Sequence, residues 1–121
     1  MANDGSAEAG TSENRQLPPG QALGLLDMVP YAQGSIVSRT LAEGEGGTLT
    51  VFAFARGQGL SEHSAPFDAI VQILEARAAV KVGTNSVVAE AGQIVRLPAN
   101  VPHGIEPGEP FKMLLTMFRA G

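Results

Sequence analysis

The chain has 121 residues, enough for one domain with a single hydrophobic core. A formal net charge of −4 and the lack of any Lys/Arg cluster argue against nucleic-acid binding. The absence of cysteine excludes a disulfide framework and a thiolate metal site.

Residues 1–17 are small, polar and acidic, with no apolar periodicity, and are expected to form a disordered tail ahead of a domain spanning 18–121. They show no basic-then-apolar signal pattern, and no apolar stretch reaches membrane-spanning length, so a cytoplasmic protein without membrane contact is expected. Pro18, Pro19 and Gly20 separate tail from domain. Ala22, Leu25, Leu26 and Val29 then fall at i, i+3, i+4 and i+7, which predicts a short amphipathic helix ended by Pro30 and lying across one opening or edge of a sheet structure.

From there the apolar period shifts to two, and 15 glycines and 8 prolines punctuate short apolar runs, the pattern of an all-β chain. Strands are expected at Ser35–Leu41, Thr48–Arg56, Leu60–Ser64, Phe67–Glu75, Ala78–Val82, Ser86–Ala89, Gln93–Leu97, His103–Ile105 and Phe111–Arg119. This is the number and spacing of a sandwich or barrel. Phe67–Glu75 is apolar on both parities, as expected of a strand covered on both sides. The last strand carries Phe111, Met113, Leu115 and Met117 on one face and Leu114 and Phe118 on the other. Both faces need cover. A second subunit, giving a homodimer, and the N-terminal segment are the two sources available.

His63 and His103 are the only histidines, and each stands beside a turn at the end of a short strand. Imidazole is the commonest metal ligand and also an acid or base near neutral pH, so two of them at one end of a small barrel mark a candidate site. The run Gly92, Pro98, Asn100, His103 reads as glycine turn, short strand, proline stop, left-handed asparagine and one presented imidazole.

That run resembles the second motif of the cupins, and Gly57–Glu75 resembles the first. The stretch Glu62-His63-Ser64-Ala65-Pro66-Phe67-Asp68-Ala69 is similar to that of small single-domain bacterial cupins of the type-2, conserved-barrel kind. The resemblance covers about Ile36 to Phe118. It implies a cupin-type β-barrel, a jelly roll or double-stranded β-helix, here with the short N-terminal helix added. Asn100 replaces the second glycine of the motif, and Pro107 stands where asparagine is common.

The first motif departs from the family pattern of His-x-His followed by Glu or Gln. His63 matches the first histidine, and Ala65 holds the place of the second. Ala76 stands at the family's glycine, which puts the carboxylate or amide position at Ala69. Half of the implied ligand set is therefore alanine, and a divalent metal, if held at all, is held weakly by His63 and His103. Asp68 and Gln72 are the substitutes within reach. Both have the wrong parity for the interior, unless a bulge near Pro66 swings Asp68 inward. Glu62 and Glu106 should face solvent.

Without a metal, the interior expected around His63 and His103 is apolar: Phe52 or its neighbours, Val71, Ile73, Leu115 and Met117, with room at Ala65 and Ala69. The expected function is binding of a small organic ligand at a degenerate metal site. The alternative is a metal-dependent cupin enzyme of dioxygenase or isomerase type, using His63, His103 and Asp68 or Gln72. A purely structural role is a third reading, because fold alone does not fix function. The sequence shows no phosphate loop, dinucleotide fingerprint or serine–histidine–acid pattern.

Overall fold

A computed structural model describes residues 17–119. The tail expected over 1–17 therefore lies almost wholly outside the described residues. Among those described, nine strands succeed one 3-10 turn: β1 (Ile36–Gly44), β2 (Gly47–Phe54), β3 (Leu60–His63), β4 (Asp68–Glu75), β5 (Arg77–Val82), β6 (Asn85–Glu90), β7 (Ile94–Leu97), β8 (His103–Ile105) and β9 (Phe111–Phe118). All pairings are antiparallel. They build a five-stranded sheet in the order β1-β2-β9-β4-β7 and a four-stranded sheet in the order β3-β8-β5-β6. The chain crosses repeatedly from one sheet to the other, so the two close over a shared interior as a jelly-roll barrel.

Period-two alternation decides what fills that interior. The five-stranded sheet sends Phe54, Ala69, Val71, Ile73, Leu97, Phe111 and Met113 inward, and the smaller sheet answers with Ala78, Val80, Ala89 and Ile105. Phe54 and Phe111 face each other across β2 and β9 and stack with ring centroids 4.5 Å apart. Such a pair is worth about 0.5–1.5 kcal/mol beyond its buried area. This packed end contains Ile73 as well, which is fully buried. Toward the other end of β9, Leu115 and Met117 are only half-buried, and the barrel stays open.

The N-terminal helix expected from Ala22 to Val29 does not form. Only a 3-10 turn, Leu25–Asp27, is present, and its cap position, Gly24, makes no side-chain hydrogen bond. A stretch this short, bounded by Gly24 and Pro30, cannot repay helix nucleation. The apolar spacing marked which side chains pack: Leu25, Met28 and Val29 join Leu41, Val51 and Ala53 in a second cluster on the outer face of the five-stranded sheet, with Leu114 against it. Leu41 shares the parity of Val37, which pairs with Ala53 on that face, and the β1–β2 register shifts by one residue just there, between Thr40 and Ala42. The strap is fixed by Lys112, almost fully buried, which donates from Nζ to the Leu26 carbonyl at 2.6 Å and lies 5.0 Å from the Tyr31 ring centre. Tyr31 in turn donates to Glu75 at 2.6 Å, and burial together with that carboxylate holds its phenol well above the usual value.

Of the two covers expected for β9, the N-terminal segment thus takes the middle of its outer face. Phe118 at the strand end stays half exposed. The β1–β2 hairpin is tighter than expected, since Gly44 pairs with Gly47 and leaves only Glu45 and Gly46 as the turn.

Lys112 contributes a charged hydrogen bond in a largely dry place, a type worth about 1.5–3 kcal/mol. Lys112→Met keeps the apolar stem and removes the bond. Denaturant melts should show a loss of about 1.5–3 kcal/mol. Amide exchange should accelerate first in the strap segment 25–31 rather than in β4 or β9.

Candidate functional site

Two strand ends and one turn build the open end of the barrel. His63 closes β3 and His103 opens β8, and the two are cross-strand partners. Leu60 pairs with Ile105, so three steps on β3 match two on β8: an extra residue bulges β3. The bulge brings Leu60 and His63 to the same cavity despite their odd separation, which simple alternation would not allow. The strands approach closely at Gly104, where an added Cβ would stand 2.8 Å from the Leu60 carbonyl oxygen.

The turn before His103 is clamped to the segment carrying the two alanines. Asn100 takes a left-handed φ of 65° and donates its amide to the Ala65 carbonyl at 2.7 Å. Ala99 donates its amide to Asp68 at 2.8 Å. Asp68 also meets Arg96 at 3.4 Å, and the Ala99 amide, then Arg96, hold its carboxyl below the usual range. Asp68 is therefore committed to the turn and does not join the histidines. Gln72 lies opposite Ile94 and Leu114 on the outer parity and does not join them either. Ala76 adopts φ 63°, the left-handed conformation that glycine takes without strain, which accords with its place in the motif.

The rings of His63 and His103 sit 4.5 Å apart, edge to face, with 67° between their planes. Each Nδ1 bonds a backbone carbonyl two residues back: Ser61 at 2.9 Å for His63, Val101 at 3.2 Å for His103. A carbonyl only accepts, so both Nδ1 atoms carry the proton. Burial, and then the neighbouring His63, push the imidazole of half-buried His103 below its ordinary value, against the opposing pull of the Val101 carbonyl.

Below the two rings lies a cavity of about 80 Å³. Of the residues expected to line it, His63, His103, Ala65, Ala69, Val71, Leu115 and Met117 do; Ile73 lies deeper, in the packed end, and Phe52 packs against the core without lining the cavity. The wall also takes in Leu60, Phe67, Val80, Leu97, Gly104, Ile105 and Met113, none of which the sequence alone assigned to the site. Parity with His103 would have found Ile105, and parity with Leu115 would have found Met113. Leu60 needed the bulge. Glu62 and Glu106 lie on the outside, paired with Lys81 at 3.4 Å and Ser86 at 3.1 Å.

The depressed imidazole has a consequence for stability. As pH falls through about 6.5 the unfolded chain takes up the His103 proton while the folded chain still resists it. Stability is therefore full above that pH and declines as pH drops toward the folded value. Melting temperatures should fall on acidification below about pH 6.5, and His103→Asn should flatten that segment of the curve. Asp68, whose carboxyl is shifted down, adds a separate loss only at more acid pH.

No protein-family model and no curated protein matches the sequence. Solved structures do. A conserved protein of unknown function from Streptococcus pyogenes superposes with a TM-score of 0.83 at 30% identity, over 93% of this chain and 99% of that one. A cupin 2 conserved barrel domain protein from Leptotrichia buccalis gives 0.77 at 35% identity over 80% of this chain, which spans 47% of that protein's length. An RmlC-like cupin from Desulfovibrio desulfuricans gives 0.70 at 25% identity, over 81% of this chain and 95% of that one. With its two-sheet barrel and its strand-end histidine at the second motif, the chain belongs to the cupins, as a small cupin-type barrel domain.

Proposed function

We propose that this cupin binds a small organic molecule in the cavity beneath His63 and His103 and holds no metal tightly. The observation that carries the reading is the lining: apolar side chains around two imidazoles, the pattern of a pocket that takes an apolar body and orients it by a few polar atoms. A volume of about 80 Å³ exceeds the roughly 10–15 Å³ that one water occupies on the same kind of measure, so several heavy atoms fit.

A resident metal, which many cupins carry, fits these residues poorly. Two imidazoles line the space, Ala65 and Ala69 offer no donor, and Asp68 is bound to the turn. Among the described residues no group of three His, Cys, Asp or Glu is placed to hold an ion.

The direct test is a chemical-shift titration of the Met113 and Met117 methyl groups with small apolar fragments. Binding should shift both, and Ala65→Phe, which narrows the mouth, should weaken it at least tenfold. Unmoved methyl signals across the whole fragment set would contradict the reading.

The vacant donor positions give a second test. Ala65→His with Ala69→Glu should rebuild a three-histidine, one-carboxylate shell. Metal at a hundredfold excess over Kd then adds about 2.7 kcal/mol of stability. Each variant is compared with metal and with chelator, because the added bulk itself costs about 1–3 kcal/mol per site. The parent should show little metal dependence. An equally large metal effect in the parent would restore the metal-dependent enzyme.

The proposal includes a homodimer. On the outer face, beyond the reach of the strap, Ile94 is 64% and Phe118 47% exposed, with half-buried Ile70 and Thr116 between them. Residues 1–16 are polar and acidic in sequence and suit this patch poorly as cover, whereas a second copy brings an identical apolar face. Light scattering at micromolar concentration should give the mass of two chains, and Ile94→Lys should shift it toward one. A monomeric parent would remove the dimer.

A further inference from the structure

We infer that the paired histidines form a double hydrogen-bond acceptor, and that the ligand is a neutral molecule with an apolar body and one O–H or N–H donor, of the phenol or alcohol class. This rests on the reading of the cavity as a small-molecule site and adds the chemistry of what the site selects.

The first observation is the shared tautomer. Both Nδ1 atoms donate to carbonyls of their own strand or turn, so in each neutral ring the lone pair sits on Nε2, on the side away from that backbone bond. Neither Nε2 has a hydrogen-bond partner among the described residues. With the ring centres 4.5 Å apart, two acceptor atoms stand at one mouth, and nothing among the described residues donates to them. A half-buried acceptor without a partner is completed by water or by a ligand that donates. While the rings are neutral, the carbonyls hold both protons on Nδ1, and a switch to the Nε2–H tautomer would cost those bonds.

The second observation is the charge of the wall. Apart from the two imidazoles, the lining contains no Lys, Arg, Asp or Glu. The charged groups Asp68, Glu62, Arg96 and Lys81 are not part of the lining and are engaged with one another or with the Ala99 amide. A bound carboxylate or phosphate would meet two lone pairs and no fixed cation. A bound ammonium would be taken out of water with no carboxylate to receive it, a costly transfer. A neutral donor meets neither penalty. Its proton is shared with one Nε2 at a time, and its apolar part fills the space between Ala65, Ala69, Leu115 and Met117.

The test compares three probes of similar shape, phenol, toluene and benzoate, titrated at pH 7.5 into methyl-labelled protein. Phenol should bind at least tenfold more tightly than the other two. In His103→Leu the phenol-to-toluene preference should fall toward unity, and His63→Leu, at the more exposed position, provides the same test should the first variant fold poorly. Toluene binding as tightly as phenol would overturn the donor inference and leave the small-molecule pocket standing. Benzoate binding most tightly would overturn the neutrality of the ligand. Failure of all three to bind up to the millimolar range would overturn both the inference and the pocket on which it rests.

Discussion

β9 has to bury both of its faces, and much of the molecule is a consequence of that. It lies between β2 and β4 in the middle of the larger sheet, so every second residue points into the barrel and the rest point out. The inner residues grade from Phe111 and Met113, sealed against Phe54 and Ile73, to Leu115 and Met117, which face open space. One strand thus sets both the solid end of the barrel and the hollow end. The outer residues force the strap: Leu114 draws in the apolar N-terminal side chains, and Lys112, too long and too polar to be left dry, reaches the Leu26 carbonyl.

The hollow end is a product of small side chains and fixed turns rather than of flexible loops. Ala65 and Ala69 leave the space; Asp68 and the amides of Ala99 and Asn100 hold the surrounding backbone so that it does not collapse into it. The same turn delivers His103 opposite His63. Both imidazoles direct their Nδ1 protons at backbone carbonyls. In the proposed site the polarity of the pocket is that of an acceptor, set by hydrogen bonds the backbone makes.

Strand alternation made most of the barrel legible in the sequence. Alternation in Thr48–Arg56 and in Phe111–Arg119 located the two central strands, and the Gly92-to-His103 run located the turn that presents the imidazole. Its left-handed asparagine adopts the conformation its motif position requires. What alternation could not supply is the place where the period breaks. The bulge in β3 puts Leu60 and His63 on one face, and the bulge in β1 shifts its pairing with β2 by one residue after Thr40. A bulge is decided by how two strands of unequal length must meet, which no single segment encodes. The strap differs from its expected helix for a related reason. Helical spacing and packing on a sheet both ask for apolar residues every three or four positions, and Gly24 and Pro30 decide between them only once the length is seen to be too short for a helix.

The proposed chemistry of this cavity rests on two imidazoles whose Nδ1 protons face backbone carbonyls and whose Nε2 atoms are open to a donor ligand. A long-range proton–nitrogen correlation spectrum of the two histidine rings at pH 7.5, with and without phenol, on protein treated with chelator, reads that state directly. A protonated Nδ1 and an unprotonated Nε2 are expected for both His63 and His103, with a change at Nε2 alone when phenol is added. Rings protonated at Nε2, or Nε2 signals that respond to added zinc and not to phenol, would contradict the acceptor site.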